Sequence, residues 1–274
     1  MDPEKIAVLV VGAHPDDPEL QAGGTAVLFA RLGHPVRFLS VTNGDAGHHR
    51  ISGDTLAARR AAEAVLSSRV AGIGYVVMDI HDGELEPTVK NRKSLIRRIR
   101  EFRPDLIITH RPYDYHPDHR YTSILVQDAV FFASIPNICP DIPPLGNKPV
   151  LLYSGDSFLK PLPFHADFAV GIDQAVAAKL DMMHCHASQF YEFLPFSYGI
   201  LDQVPEGDRE RRAWLESLWA REWNAEPWRE LLVRNYGEQG NLFRYAEPFE
   251  ISEYGRLPVS PREVFPFFPE ATWV

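Results

Sequence analysis

The 274-residue chain predicts an α/β fold built on a parallel sheet with right-handed crossovers. Two observations carry this reading. Strand-like apolar runs alternate with helix-length segments from Ile6 to about Ala187, and the loops after the first, second and fourth runs gather polar residues. In an open parallel sheet, such loops share the crevice beyond the carboxyl ends of the strands, where ligands bind.

The first run, Ile6–Ala13, is apolar almost throughout and reads as a strand buried on both faces. It ends in His14, Asp16, Asp17 and Glu19, a strand-to-helix turn in which Asp17 is the expected N-cap and Pro18 the first helical residue. The helix continues to Leu32. Its Gly23-Gly24 pair costs roughly 1 kcal/mol per Gly relative to Ala, which points to close packing on the sheet. Gly33-His34-Pro35 turns into a second strand, Val36–Thr42, followed by the turn-rich loop Asn43-Gly44-Asp45-Ala46-Gly47. Thr55–Ser68 is a helix, Tyr75–Asp79 a third strand, Thr88–Phe102 a helix with a basic face, and Asp105–Thr109 a fourth strand. A helix over Arg120–Ala133, strands at Val150–Tyr153 and Asp167–Ile172, and a helix over Asp173–Ala187 continue the alternation.

Beyond Phe190 the pattern fails. This irregular aromatic- and proline-rich extension holds all five tryptophans, one amphipathic helix around Asp208–Trp223, and an extended arm from Tyr254 to Val274. The organisation expected is an α/β core over 1–189 and an extension over 190–274 that packs on the core or on a neighbouring subunit. The Phe- and Pro-rich arm makes a homo-oligomer possible.

Lys and Arg number 28 against 37 Asp and Glu, a net charge of −9, which disfavours nucleic acid and anionic membrane surfaces as partners. Only Cys139 and Cys185 are present, so no disulfide framework holds the fold. No apolar run is long enough to span a bilayer, and the N-terminal run lacks the features of a signal peptide. A cytoplasmic protein is the expectation.

The turn after the first strand carries chemistry. A phosphate-binding protein places G-x-G-x-x-G there; an imidazole with two carboxylates repels phosphate and attracts a cation. The fourth strand ends in THRPYDYHPDHR, which in a parallel sheet lies at the same edge, so His119 can complete a site begun by His14 and Asp17. Two imidazoles and one carboxylate are a common catalytic zinc set that leaves a fourth position for water. Divalent iron, or another divalent transition metal, suits the same donors.

AHPDDPEL, TNGDAG, RRAAEA and HPDHR, in this order, resemble the LmbE-like, PIG-L-type deacetylase family. The likeness extends through DQAVAAKLDMMHCHASQ and, more weakly, to AEPFE at Ala246. The resemblance implies a Rossmann-like sheet with helices on both faces and removal of an acetyl group from an N-acetylglucosamine-type substrate or its conjugate. It implies that His14, Asp17 and His119 bind the metal, that Asp16 is the general base, and that His116, as an imidazolium, faces the developing oxyanion. The residue types permit these roles: a carboxylate that is not a ligand can deprotonate a metal-activated water, and an imidazolium can stabilise an oxyanion. Either Asp16 or His116 protonates the leaving amine.

Asp118 either orients a histidine or caps the helix that follows. Arg60, in the family's R-x-x-E pattern with Glu63, either reaches the substrate, as the resemblance suggests, or is an ordinary surface charge. Asp82 is a candidate for sugar hydroxyls or a tight Asp-Gly turn. Asn43 and Asp45 join the candidates for substrate binding, in a loop facing the crevice. Pro18 and Asp45 depart from residues common among relatives, which bears on substrate preference. His184 and His186 lie about 200° apart on a helix and are poorly placed to share an ion. A non-catalytic sugar- or nucleotide-binding protein of the same fold, and a hydrolase of another amide or ester, are the alternatives.

Overall fold

The computed structural model describes residues 5–269. Its elements are β1 (Val8–Gly12), α1 (Asp17–Arg31), β2 (Val36–Ser40), α2 (Gly53–Ala71), β3 (Gly74–Val77), α3 (Val89–Phe102), β4 (Leu106–Thr109) and α4 (Pro117–Phe132). They continue with β5 (Val150–Ser154), β6 (Phe168–Gly171), α5 (Val176–His184), α6 (Leu194–Ser197), α7 (Asp208–Trp219), α8 (Arg229–Tyr236), β7 (Ala246–Ile251) and α9 (Pro261–Val264). Every strand and helix expected before Phe190 is present, with ends moved by a few residues.

The strand order is β3-β2-β1-β4-β5-β7-β6. Period-two alternation divides the strands between two cores. Val8, Val10, Phe38 and Ile108 pack on one face with Ala26 and Phe29 of α1 and Leu180 of α5. Leu9, Val11, Leu39 and Ile107 pack on the other with Ile96 and Ile99 of α3 and Val126 and Val130 of α4. Burial on both faces is what made these runs apolar throughout. Strand order reverses between β1 and β4, so their carboxyl ends flank the crevice of the sheet.

The sheet is mixed rather than wholly parallel. β7, from the region without pattern, runs antiparallel between β5 and β6. The division at residue 189 therefore cuts through one sheet. Pro248 is tolerated in this inner strand because its carbonyl accepts from Gly155 N at 3.2 Å, beyond the end of β5. Its missing N–H falls on that side, and the ladder to β6 is intact.

The arm from Tyr254 is not uniformly extended. It includes α9, and Phe265 and Phe268 are buried against Phe29, Phe168, Phe249 and Tyr236 of the same chain. Its last five residues, 270–274, lie outside the described residues. No described helix is long and apolar enough to cross a membrane.

α1 is broken at Ala22, where φ is −146° and ψ 21°. The N–H groups of Gly24 and Thr25 donate to the two carboxylate oxygens of Glu247, at 2.9 and 2.7 Å. A carboxylate from β7 thus caps the second half of α1. A Cβ on Gly24 would lie 2.9 Å from Ile172 Cβ, which explains why glycine occupies this costly position.

Candidate metal centre and active site

The turn after β1 folds back on its own strand. A Cβ on Gly12 would lie 2.6 Å from Asp17 Cβ, so only glycine admits the turn. Asp16 sits at φ 141°, a conformation that costs a non-glycine residue about 1–3 kcal/mol and persists only when its surroundings impose it. Arg60 does so. Its Nη2 donates to Pro15 O at 2.9 Å and to Asp16 Oδ1 at 3.0 Å, and its Nη1 donates to Gly44 O at 3.2 Å. At 2% exposed, Arg60 is no surface charge; it braces Asp16. The N-cap position belongs to Asp16 rather than Asp17, although its side chain makes no cap bond.

Asp17 joins the two distant turns. One of its oxygens lies 3.3 Å from His14 Nδ1 and the other 3.5 Å from His119 Nε2. The two rings thus meet different oxygens of one buried carboxylate. Each histidine turns its other nitrogen to a carboxylate. His14 Nε2 meets Asp82 Oδ1 at 3.0 Å and Asp118 Oδ2 at 3.3 Å, and His119 Nδ1 meets Asp114 Oδ1 at 3.1 Å. This is the arrangement that fixes metal-ligating imidazoles. Among the described residues, three overlapping groups have ligand atoms within 4.8 Å: His14, His116, His119; Asp17, His110, His119; and His14, Asp82, Asp118. The donor set fits a divalent cation. Carboxylates crowd the turns, Arg60 is the guanidinium paired with them, and Asp118 Oδ1 is buried without a hydrogen-bond partner.

Electrostatics separate the adjacent carboxylates. Burial, opposed by Arg60, pushes the Asp16 carboxyl up to about 6. Burial also works against Asp17, but His119 and His110 outweigh it and hold that carboxyl well below the usual range. Burial disfavours charge on His14, yet Asp118, Asp17 and Asp82 hold its pKa well above the ordinary value.

His116 is the N-cap of α4, and its Nδ1 accepts from Asp118 N at 3.2 Å. Burial, His14 and His119 lower its pKa. With Nδ1 accepting from the backbone, Nε2 is the nitrogen left to carry a proton toward the site. Asp118 orients His14 and accepts from Gly83 N at 2.7 Å; it is not the helix cap. Asp82 belongs to the centre through His14 and lies 3.8 Å from Arg60 Nη1. Asn43 and Asp45 are buried in the loop beside the centre. Asn43 Nδ2 donates to Asp79 at 3.1 Å, and Asp45 holds His81 at 2.6 Å and the Asp82 N–H at 3.0 Å.

Several participants were not singled out from the sequence. His110 stacks on His119 at 4.0 Å and lies 3.3 Å from Asp17; burial and His119 push its pKa to about 4. Gln21 contacts its ring, and Asp114 orients His119. Their signal was position alone, in or beside the two strand-end motifs. Glu63 accepts from Ser188 N and Oγ at 2.9 and 2.5 Å, joining R-x-x-E to the H-x-S-Q turn. His186 is fully buried on Glu19 at 2.8 Å, while His184 pairs with Tyr191 and Asp208, so the two rings turn to different partners. His48 pairs with Glu192, and His49 is stacked between His48 and Phe196.

The family model described as PIG-L, GlcNAc-PI de-N-acetylase, matches residues 9–130. The chain is 32% identical over 191 residues to the diacetylchitobiose deacetylase of Thermococcus kodakarensis, covering 68% of this chain and 70% of that protein. The N,N′-diacetylchitobiose deacetylase of Pyrococcus horikoshii, in complex with its inhibitor, superposes with TM-score 0.69 at 24% identity, over 92% of this chain and 85% of that one. The 4-carboxy-2-hydroxymuconate hydratase GalB of Pseudomonas putida superposes with TM-score 0.71 at 18% identity, over 94% and 99%. A fold that carries both names does not choose a reaction. The sequence match to the Thermococcus protein, on a sheet and strand-end turns of this kind, is specific: the chain belongs to the PIG-L (LmbE-like) deacetylase family.

Proposed function

We propose that this chain is a metal-dependent hydrolase that removes the N-acetyl group from an N-acetylglucosamine-type sugar or its conjugate. The observation that carries the reading is the position of Asp17, whose oxygens approach one ring nitrogen each of His14 and His119. These three would hold a divalent ion, zinc or ferrous iron. When bound, the ion supplies Lewis acidity that polarises the amide carbonyl and acidifies water.

Asp16 is the general base. Arg60 and the buried turn hold its carboxylate beside the donors, and a pKa near 6 lets it take a proton from the attacking water and return it to the leaving amine. His116 donates from Nε2 to the developing oxyanion. Asp82 and Asp118 keep His14, and Asp114 keeps His119, in the tautomer whose remaining nitrogen faces Asp17.

Acetate release tests the reading, with zinc- or iron-loaded protein and a panel of acylated sugars, amino acids and thiol conjugates. N-acetylglucosamine derivatives should lead the panel. Asp16→Asn should keep about one equivalent of metal and lose turnover by about 10²-fold or more. Full activity in Asp16→Asn removes the base assignment, and a wild-type chain unable to take up metal removes the mechanism.

A further inference from the structure

The C-terminal region encloses a cavity of about 530 Å³ that the strand-end motifs do not reach, lined by Arg221, Arg229 and Arg244 with Asn241, Phe243 and Tyr245. A thin wall divides it from the cleft that holds Asp17 and His119. Ala220, Arg221 and Asn224 line the cavity, while their neighbours Trp219, Glu222 and Trp223 line the cleft. The same alternation recurs where Arg244 and Tyr245 line the cavity and Ala246 and Glu247 the cleft. The two segments are tied together: Asn224 and Tyr245 form an antiparallel bridge, and Ala225 N donates to Arg244 O at 3.0 Å. No lining residue is common to the two spaces, so the cavity is a separate compartment rather than an annex of the cleft.

Charge sorts across this wall. The cleft is lined by Asp17, Asp114, Asp156, Glu222 and Glu247, whereas the cavity has three guanidinium groups and, among the described residues that line it, no carboxylate. In a chain of net charge −9 this is the reverse of the average surface. Arg229 is half-buried and fixed by the backbone, its Nη1 donating to Gly240 O at 2.6 Å and its Nη2 meeting the exposed Glu226 at 3.1 Å. Arg221 Nε lies 3.3 Å from Glu222, an exposed pair that solvent screens. Arg244 is anchored through its backbone N–H on Asp173, at 3.0 Å, and its guanidinium lies 5.5 Å from the Tyr245 ring centroid, with no ion pair to a described residue.

A guanidinium fork matches phosphate oxygens in pairs, and several forks around one space favour a group with several anionic oxygens. The cavity is within the range of small-molecule sites and larger than inorganic phosphate alone would fill. Phe243, braced by Tyr236 at 4.7 Å, supplies an apolar face for an organic portion, and Asn241 an amide for its hydroxyls. We propose that this cavity is a second binding site, for the phosphate ester of a small molecule, with Arg229 and Arg244 holding the phosphate and Phe243 lying against the organic part.

Calorimetric titration of the metal-loaded full chain with inorganic phosphate, glucose 6-phosphate and ADP tests the site. At least one ester should bind one-to-one and about tenfold or more tighter than inorganic phosphate. Arg244→Gln, and separately Arg229→Gln, should weaken that binding by about tenfold or more, and His119→Ala, in the metal centre, should change it by less than about twofold. Arg244 is exposed, so its variant should keep the urea midpoint of the wild type and separate loss of the site from loss of the fold. Absence of binding by all three probes at millimolar concentration overturns the site. Binding that survives both arginine variants and disappears in His119→Ala places the phosphate on the metal and overturns it as well. Equal affinity for inorganic phosphate and both esters overturns the organic half of the assignment. Every readout here is binding rather than acetate release, so these outcomes are independent of the deacetylase reading.

Discussion

Two sets of buried charge touch α1, and they differ in whether the charges cancel. At its N-terminus, Asp16, Asp17, Asp82, Asp114 and Asp118 crowd around Arg60 and four histidines, His14, His110, His116 and His119, with Asp118 Oδ1 unpartnered. At its break, Glu247 accepts from two backbone N–H groups and from Lys179, whose Nζ also donates to Leu20 O at 2.9 Å. The second set is complete without any ligand and serves the fold. The first holds negative charge and ring nitrogens beyond what the chain satisfies, and there, rather than at the break, a cation would improve matters.

The largest effect that separates the two comes from removing a donor. His119→Ala should abolish stoichiometric metal uptake and lower turnover by about 10³-fold or more, measured by metal analysis and acetate release, with the fold retained. Asp114→Asn, which disturbs only the partner of His119, should weaken metal affinity by about 10–100-fold. At the break the readout is stability. Glu247→Ala leaves Lys179 buried and unpaired and should cost about 3–5 kcal/mol in urea unfolding, much of it recovered when Lys179→Met is added. Equal losses in the single and double variants would break the comparison.

Smaller effects sharpen it. Gly24→Ala forces a methyl against Ile172 and should cost about 1–3 kcal/mol without changing metal content. The His186–Glu19 pair gives a pH signature. Burial disfavours the imidazolium, but Glu19 outweighs it and raises the pKa above the ordinary 6.5. A raised value in the folded state means stabilisation fully present below pH 6.5 and lost as pH rises through the folded pKa. The stability difference between wild type and His186→Gln should shrink from pH 6 to pH 9; a difference that grows over that range contradicts the charged pair.

Legibility in the sequence followed the range of the interactions. β1, β4, β5 and β6 were readable because strands buried on both faces are largely apolar, β2 and β3 because short apolar runs alternate with helices, and the HPDD and HPDH turns because their donors are contiguous. β7 was missed because its six residues contain Pro248 and two glutamates, one neutralised only by a lysine far away in the chain. Arg60 was ambiguous for the same reason: nothing local distinguishes a helical arginine in solvent from one that braces a carboxylate on another turn. His110 lay inside the quoted motif, but its stacking on His119 depends on where α4 begins.

The late position of β7 also bears on how the protein is made. β6 has β7 as its neighbour in the sheet, and the cap on the second half of α1 comes from the same strand. A nascent chain halted near residue 240 would already carry every histidine and aspartate of the candidate metal centre, yet have β6 unzipped and its first long helix unseated. A chain cut short before β7 should therefore be inactive and prone to aggregate through the open strand edge.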